Sequence, residues 1–360
     1  FPHDHDRIVS LVSLASPSSR VQDSYVRRFL IILPLAFILA GCASDSPNES
    51  NGSSGGAAGS AGMPGSGGAT QDVAQEPIPQ SPGPMRLVSW NCWNLFDDVL
   101  GNCVGYCPYE DKLTTTQYKN KIAAIAKTLR VLDGDIVLLQ EVENIGILDT
   151  LVQHKDLADM GYQTRHLLPG NDPRGINIGL LSRVPVDDYI SHKSDKFTRI
   201  DNPAYVYQFA RDAVEIHLTY RGHKVGIVGV HFKARINDDD PDRRVAEAQQ
   251  ARAIADNILA ADPNTYVFVM GDFNDTPGTD TYAAVRNGPT PQSLVFEHAM
   301  SSIPSAERYS YVYGKDKQLI DHILASPNAG ARLDPDSAVI LHDATAASDH
   351  HPLAATYTVP

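Results

Sequence analysis

The segment Val269-Met270-Gly271-Asp272-Phe273-Asn274-Asp275-Thr276-Pro277 runs an apolar strand straight into two carboxylates and a carboxamide. Such groups bind a hard divalent cation through oxygen or hold a water molecule for attack. Alone, the pattern also fits an ordinary turn, since Asp and Asn bond readily to their own backbone. Other apolar runs end in the same way. Leu87 to Trp90 leads into Asn91, Ile136 to Leu139 passes through Gln140 into Glu141, and Val225 to Val230 stops at His231. Leu319 and Ile320 run into Asp321 and His322, and Ser348-Asp349-His350-His351 precedes the strand-like Leu353 to Val359. Polar groups at the ends of buried strands must be paired or solvated. Their repetition implies one shared polar site on the rim of a sheet.

The elements that must carry these residues are legible in part. Consecutive apolar residues over Ile136 to Leu139 read as a strand buried on both faces. A helix is predicted from Thr116 to Leu132, with Ile122, Ile125, Ala126, Leu129 and Leu132 on one stripe and a capping box at Thr114 and Gln117. A second is predicted from Arg243 to Leu259, its apolar face repeating at three and four residues and its other face wet, with Asp242 as a cap. No internal repeat is visible.

The order Ser-Trp-Asn91, Leu-Leu-Gln-Glu141, Val-His231-Phe-Lys, Gly-Asp272-Phe-Asn274, Ile-Asp321-His and Ser-Asp349-His350 resembles the endonuclease/exonuclease/phosphatase superfamily, which includes DNase I, abasic-site endonucleases and neutral sphingomyelinases. The likeness runs from about Met85 to the C-terminus. It implies an α+β fold of four layers, α/β/β/α, in which two mainly antiparallel sheets pack face to face with helices outside. It also implies a metal-dependent phosphodiester hydrolase. Asn91, Glu141 and Asp349 would hold the cation, Mg²⁺ first, with Mn²⁺ and Ca²⁺ as alternatives. By the same resemblance Asp272 orients or deprotonates the attacking water, Asn274 holds that water or a phosphate oxygen, and His350 stabilises the charged phosphorus centre. Asp321 pairs with His350, raising its pKa and fixing its tautomer. His231 stands where DNase I-like and sphingomyelinase-like members carry histidine and abasic-site endonucleases carry asparagine, apt for protonating the leaving oxygen. Arg174 and Arg211 match positions near the substrate phosphate, and equally fit ion-pair residues. Asp275, His322 and His351 read as structural.

The remainder of the chain reads as address and tether. Arg27-Arg28, the apolar run Phe29 to Ala40 and Leu39-Ala40-Gly41-Cys42 resemble a bacterial lipoprotein signal over residues 1–41, cleaved before a lipidated Cys42. A membrane-spanning helix needs roughly 20 apolar residues, more than this run supplies. Residues 42–84, rich in Gly, Ser, Ala and Pro, read as a flexible linker, and 85–360 as the catalytic domain. The expected location is the cell envelope, at the outer membrane through the lipid anchor, with no protein partner inferred. In that oxidising setting Cys103 and Cys107 fit a disulfide better than a zinc site, and Cys92 a buried apolar position.

The net charge is −13, and cleavage before Cys42 makes it −14 by removing four basic and three acidic residues. Passive nucleic-acid binders are usually basic. A nucleic-acid substrate would therefore need local relief from cations and from Lys233, Arg235 and Arg211. Arg-Arg-x-x-x-Ala-Gln after an acidic loop, with Tyr311-Val312-Tyr313, looks most like secreted bacterial nucleases. The stripe Tyr309, Tyr311, Tyr313 alternates as a sheet strand does. A sphingomyelinase-like phosphoesterase and a non-catalytic surface-binding lipoprotein are the competing readings. The acidic run Asp238-Asp239-Asp240-Pro241-Asp242 reads as a solvated loop.

Overall fold

Every residue of Ile136–Val142 and of Tyr266–Asp272 is buried, so each of these strands must be covered on both faces. The computed structural model describes residues 83–235, 239–344 and 346–360. The signal segment, Cys42 and the linker up to residue 82 lie outside the described residues, as does Asp238. In chain order the strands are β1 (Gly83–Leu95), β2 (Ile136–Val142), β3 (Thr164–Leu167), β4 (Asn177–Ser182), β5 (Asp188–Ser191), β6 (Phe197–Thr198), β7 (Val206–Tyr207) and β8 (Ala213–Tyr220). They continue as β9 (His223–His231), β10 (Tyr266–Asp272), β11 (Glu297–His298), β12 (Tyr311–Tyr313), β13 (Asp316–Gln318), β14 (Asp321–Ala325), β15 (Val339–Ile340) and β16 (Leu353–Val359). The α-helices are α1 (Thr115–Leu132), α2 (Ile145–Gln153), α3 (Pro241–Ala261), α4 (Asp280–Asn287) and α5 (Pro327–Gly330). β1 thus begins two residues inside the expected linker.

Two six-stranded sheets form, in the orders β15-β16-β1-β2-β4-β3 and β11-β14-β10-β9-β8-β5. Each is antiparallel except for one central pair, β1 with β2 and β9 with β10. A parallel pair needs a crossover, which α1 supplies in the first sheet and α3 in the second. Side-chain alternation sorts the core into layers. Leu87, Leu138 and Leu180 of one sheet meet Val214, Ile227, Phe268 and Ile323 of the other. On the outer faces, Val88, Trp90 and Val137 pack on Ile125 and Leu129 of α1, while Val228, Val267 and Val269 pack on Ala251 and Ile254 of α3. This is the expected four-layer sandwich.

Both crossover helices start and stop for local reasons. In α1 the Thr114 side chain accepts from Gln117 N–H and Gln117 returns a bond to Thr114 N–H, completing the box. Burying each of Ile122, Ile125, Leu129 and Leu132 contributes about 1.5–3 kcal/mol. In α3 the cap is Asp240, not Asp242. Pro241 takes the first helical position, where a missing N–H costs nothing, so the carboxylate one residue earlier accepts from Arg243 N–H at 2.9 Å. The apolar face of α3 is buried as expected, but its wet face is narrower than the sequence suggests, because Arg244, Glu247 and Arg252 are buried. Arg252 satisfies carbonyls of Val285 and Leu294 and lies over the Phe296 ring, and Glu247 accepts from Ala210 and Lys233 N–H at 2.6 Å each. Cys103 and Cys107 form a disulfide. Cys92 is buried, and burial pushes its thiol up to about 12, leaving it unreactive. Among the described residues no helix is long and apolar enough to cross a membrane.

At Gly271 the parallel pair leaves no room for a side chain. Its φ is 141°, and a Cβ there would lie 1.9 Å from the Val230 carbonyl oxygen. Gly271→Ala is expected to destabilise the domain by about 3 kcal/mol or more, through strain and the displaced β9 carbonyl. A lowered midpoint of urea unfolding checks this; an unchanged midpoint would contradict the packing.

Candidate active site

The C-terminal ends of the two parallel pairs face the same place and carry the predicted residues. Asn91 and Glu141 come from β1 and β2, His231 and Asp272 from β9 and β10. His231 and Asp272 are register partners, and Asp272 is also opposite Asp321. Asp321 does not end a strand, as the sequence suggested, but begins one. Because β14 runs antiparallel to β10, its start lies beside the end of β10. His350 arrives just before β16 and is fixed by its main chain: Trp90 Nε1 donates to its carbonyl at 2.9 Å and its N–H donates to Ser348 Oγ at 3.0 Å. Ser348 in turn donates to the Asn91 carbonyl at 2.7 Å.

Regular strands would aim these side chains elsewhere. Pairing of β1 with β2 shifts register between Asn91 and Leu95, and β2 with β4 between Leu139 and Val142. Bulges of this kind redirect side chains. Trp93, Asn94, Glu141 and Asn274 all have φ between 49° and 62°. Left-handed backbone at non-glycine residues costs of order 1–3 kcal/mol each and persists only where neighbours enforce it. Here Asn94 N–H donates to Glu141 Oε2 at 2.6 Å and Asn274 N–H to Asp272 Oδ1 at 2.7 Å.

The side chains form one connected network. Asn91 Nδ2 donates to Asp272 Oδ2 at 2.9 Å and reaches Glu141 Oε1 at 3.5 Å, while its Oδ1 accepts from Trp93 N–H at 2.9 Å. Asn91 therefore bridges the two carboxylates, and its carbonyl oxygen already has a donor. His231 Nε2 lies 3.5 Å from Asp272 Oδ2 and 3.8 Å from Glu141 Oε1. His350 Nδ1 is 2.8 Å from Asp321 Oδ2, and its Nε2 is 4.0 Å from Asp272 Oδ2. Asn274 Nδ2 donates to the Phe232 carbonyl at 3.0 Å and to Asp272 Oδ2 at 3.3 Å. Asp349 opens to solvent at the mouth of this network.

Burial and charge set the protonation states. Burial raises the Asp272 carboxyl above the carboxylate range, and the Asp321 charge adds to it. Burial alone would lower His350, but Asp321, Asp272 and Asp349 overrule it and raise the imidazole to about 10. His231 moves the other way, held well below its ordinary value by burial and then by the Arg211 and Arg174 charges. Asp349 is raised by partial desolvation at the crowded rim and, after the opposing His350 charge, by Glu141.

Carboxylates crowd the centre of this site: Glu141, Asp272, Asp321 and Asp349 surround the His350 imidazolium, with the Arg174 and Lys121 charges on the Glu141 side, and among the described residues Asp321 Oδ1 is buried with no hydrogen-bond partner. A hard cation with oxygen ligands would offset that charge, so the donor set fits one. Asp272, Asp321 and His350 can also bring ligand atoms within 4.8 Å of one another, although the His350 ring nitrogen nearest Asp321 is already committed to it.

Arg174 and Arg211 converge on a residue the sequence did not single out. Asp172 accepts from Arg174 Nη2 at 2.9 Å and from Arg211 Nε at 3.0 Å, and Arg211 also bonds the Phe232 carbonyl. Arg211 is buried in this pairing; Arg174 remains partly exposed and donates to Asn94 Oδ1 at 2.9 Å. Lys121 of α1 was missed as well, and its amine reaches the Trp93 carbonyl and lies over the indole. Asp172 sits in Asn-Asp-Pro-Arg, which reads as a turn, and Lys121 occupies an unremarkable helix position. Asp275 accepts from Arg244, and His322 bonds the Asp275 carbonyl and His298, in keeping with structural roles. The tyrosine stripe is not one sheet strand: Tyr311–Tyr313 forms a separate hairpin with β13, and Tyr309 stacks on His342.

The two packed sheets with their outer helices form the DNase I-like architecture of phosphoester hydrolases. A model of the endonuclease/exonuclease/phosphatase family matches residues 87–338, and the chain belongs to that family. No curated protein matches it. Among solved structures, truncated Caenorhabditis elegans TDP2 is similar at 15% identity, covering 77% of this chain and 98% of its own, with a TM-score of 0.52. The human Nocturnin catalytic domain with bound sulfate is similar at 19% identity, covering 77% and 95%, with a TM-score of 0.53. ANGEL2, a 2′,3′-cyclic phosphatase in complex with adenosine-2′,3′-vanadate, is similar at 13% identity, covering 77% and 96%, with a TM-score of 0.53. These likenesses concern the fold.

Proposed function

We propose that this chain is a metal-dependent phosphodiesterase that hydrolyses nucleic acid outside the cytoplasm, tethered to the envelope through a lipidated Cys42. The observation that carries the reading is the convergence of Asp272, with its raised proton affinity, on the charged His350–Asp321 pair and the neutral His231. A general base works best when its pKa lies near the working pH, and burial moves Asp272 in that direction. Asp272 accepts the proton of the attacking water, which Asn274 helps to hold. His350, kept protonated by Asp321, offsets charge on the phosphoryl oxygens. His231 donates a hydrogen bond from its neutral ring toward the leaving oxygen. Arg174, anchored by Asp172, presents the exposed part of its guanidinium to the phosphate, while Arg211 holds Asp172 from behind. Glu141, Asn91 and Asp349 would hold the cation, Mg²⁺ first, which supplies Lewis-acid polarisation of the phosphate when bound.

The test is incubation of the purified chain with supercoiled plasmid in Mg²⁺, Mn²⁺ or Ca²⁺, with a chelator and His231→Ala as controls. Nicking is expected only with metal, and chelation is expected to remove it fully and reversibly. Intact plasmid with every ion would overturn the nuclease reading and direct attention to sphingomyelin and small phosphomonoesters.

A further inference from the structure

Beside the catalytic network lies a cleft of about 500 Å³ whose lining includes Arg235, Arg308, Lys317, Ser305, Thr276 and Gln318. It is built from the segments that carry the catalytic groups. Arg235 follows His231 by four residues, Thr276 follows Asn274 by two, and Leu319, also on its wall, precedes Asp321 by two. Two residues of chain span at most about 7 Å, so the cleft adjoins the reacting centre. The β12–β13 hairpin joins them directly, since Gln318 is paired with Tyr311, whose ring packs 4.9 Å from that of His350.

The cations of this cleft are held in an unusual way. Arg235 bonds the Gln318 side-chain oxygen, Arg308 bonds the carbonyls of Ser301 and Ile303, and the Lys317 amine lies 4.1 Å from the centre of the Tyr309 ring. These partners orient the charges without neutralising them. Among the described residues none of the three forms an ion pair with a carboxylate, and the cleft is lined by no carboxylate. In a chain of net charge −13 a carboxylate partner is the easiest thing to supply. Three uncompensated cations with the hydroxyls of Ser305 and Thr276 make a pocket of donors suited to phosphate oxygens.

We infer that this cleft binds a second phosphate of the substrate, flanking the one that is cleaved, and so selects a polynucleotide over a choline phospholipid. The inference deepens the phosphodiesterase reading and rests on it for the identity of the cleaved bond. A polynucleotide carries a further phosphate on each side of any internal bond. A choline headgroup would instead bring a cation toward Arg235 and Lys317.

The experiment compares the full wild-type chain with Lys317→Gln, Arg235→Gln and the double variant. Binding of a fluorescent single-stranded oligonucleotide is followed by anisotropy in chelator, and turnover is measured with metal on the oligonucleotide and on bis(p-nitrophenyl) phosphate, which has no flanking phosphate. The double variant is expected to weaken oligonucleotide affinity about tenfold or more, the equivalent of one charge-assisted hydrogen bond. The slope of log affinity against log salt should fall by about 0.7 per cation removed, with the rate on the small diester unchanged. Unchanged oligonucleotide affinity, or an equal loss on both substrates, would overturn the inference while leaving the phosphodiesterase reading in place. If the wild type hydrolyses neither diester, that reading fails, and the anisotropy series alone still decides whether the cleft binds phosphate.

Discussion

Asp272→Asn is expected to lower kcat by about 10²- to 10⁴-fold, the range a positioned general base contributes. The same change should leave the domain folded. Asp272 is buried among Asn91, Asn274, His231 and the Asp321 carboxylate, and keeping it charged there costs folding free energy because burial and Asp321 both oppose ionisation. An amide of the same shape removes that cost. It also turns one acceptor toward Asn91 Nδ2 or Asn274 N–H into a donor, a loss of about 1–3 kcal/mol. These two effects oppose each other, so the thermal midpoint should move little while turnover collapses. The check is kcat with saturating metal beside a melting curve. Turnover within tenfold of wild type would remove Asp272 from the chemistry, and a collapsed melting transition would mark it as structural.

Asp321→Asn is expected to produce the second-largest effect and to move the pH profile as well. Asp321 is the foremost influence raising His350 to about 10 and, after burial, the foremost one raising Asp272. Its removal lowers both. The acidic limb of the rate profile, which reports Asp272 losing its proton, should shift to lower pH. The alkaline limb, which reports His350 losing its proton, should shift the same way, with kcat at neutral pH down about 10²-fold. Stability follows from the same linkage. His350 has a folded value above its ordinary one, so the stabilisation from its pairing is complete below the ordinary histidine range and is lost as pH rises through about 10. Wild type should therefore lose stability from pH 7 to 10, and Asp321→Asn should lose less over that interval. Both limbs staying in place would show that Asp321 does not set these two groups.

What the sequence determined by itself was local. Thr114 and Gln117 cap α1 because a capping box needs only residues three apart, and the stripe of α1 faces the core because its period is that of a helix. The ordered motifs at Asn91, Glu141, His231 and Asp272 were legible because each is an apolar run broken by a polar residue, and His350 because its polar cluster stands directly before one, a contrast that short segments carry without their partners. Partners far apart in the chain were decided only by the tertiary structure. Arg174 and Arg211 both lie on Asp172, which is 39 residues from Arg211, and nothing local distinguishes an arginine that will meet a carboxylate from one that will meet a phosphate. Asp321 begins its strand because β14 runs against β10, a choice of direction that short apolar runs do not encode. The apolar face of α3 is buried as its period predicts, but Arg244, Glu247 and Arg252 narrow its wet face, because their burial depends on carbonyls and N–H groups delivered by neighbouring loops. The cleft of Arg235, Arg308 and Lys317 gathers three cations from two loops and strand β13, and only folding sets their charges side by side.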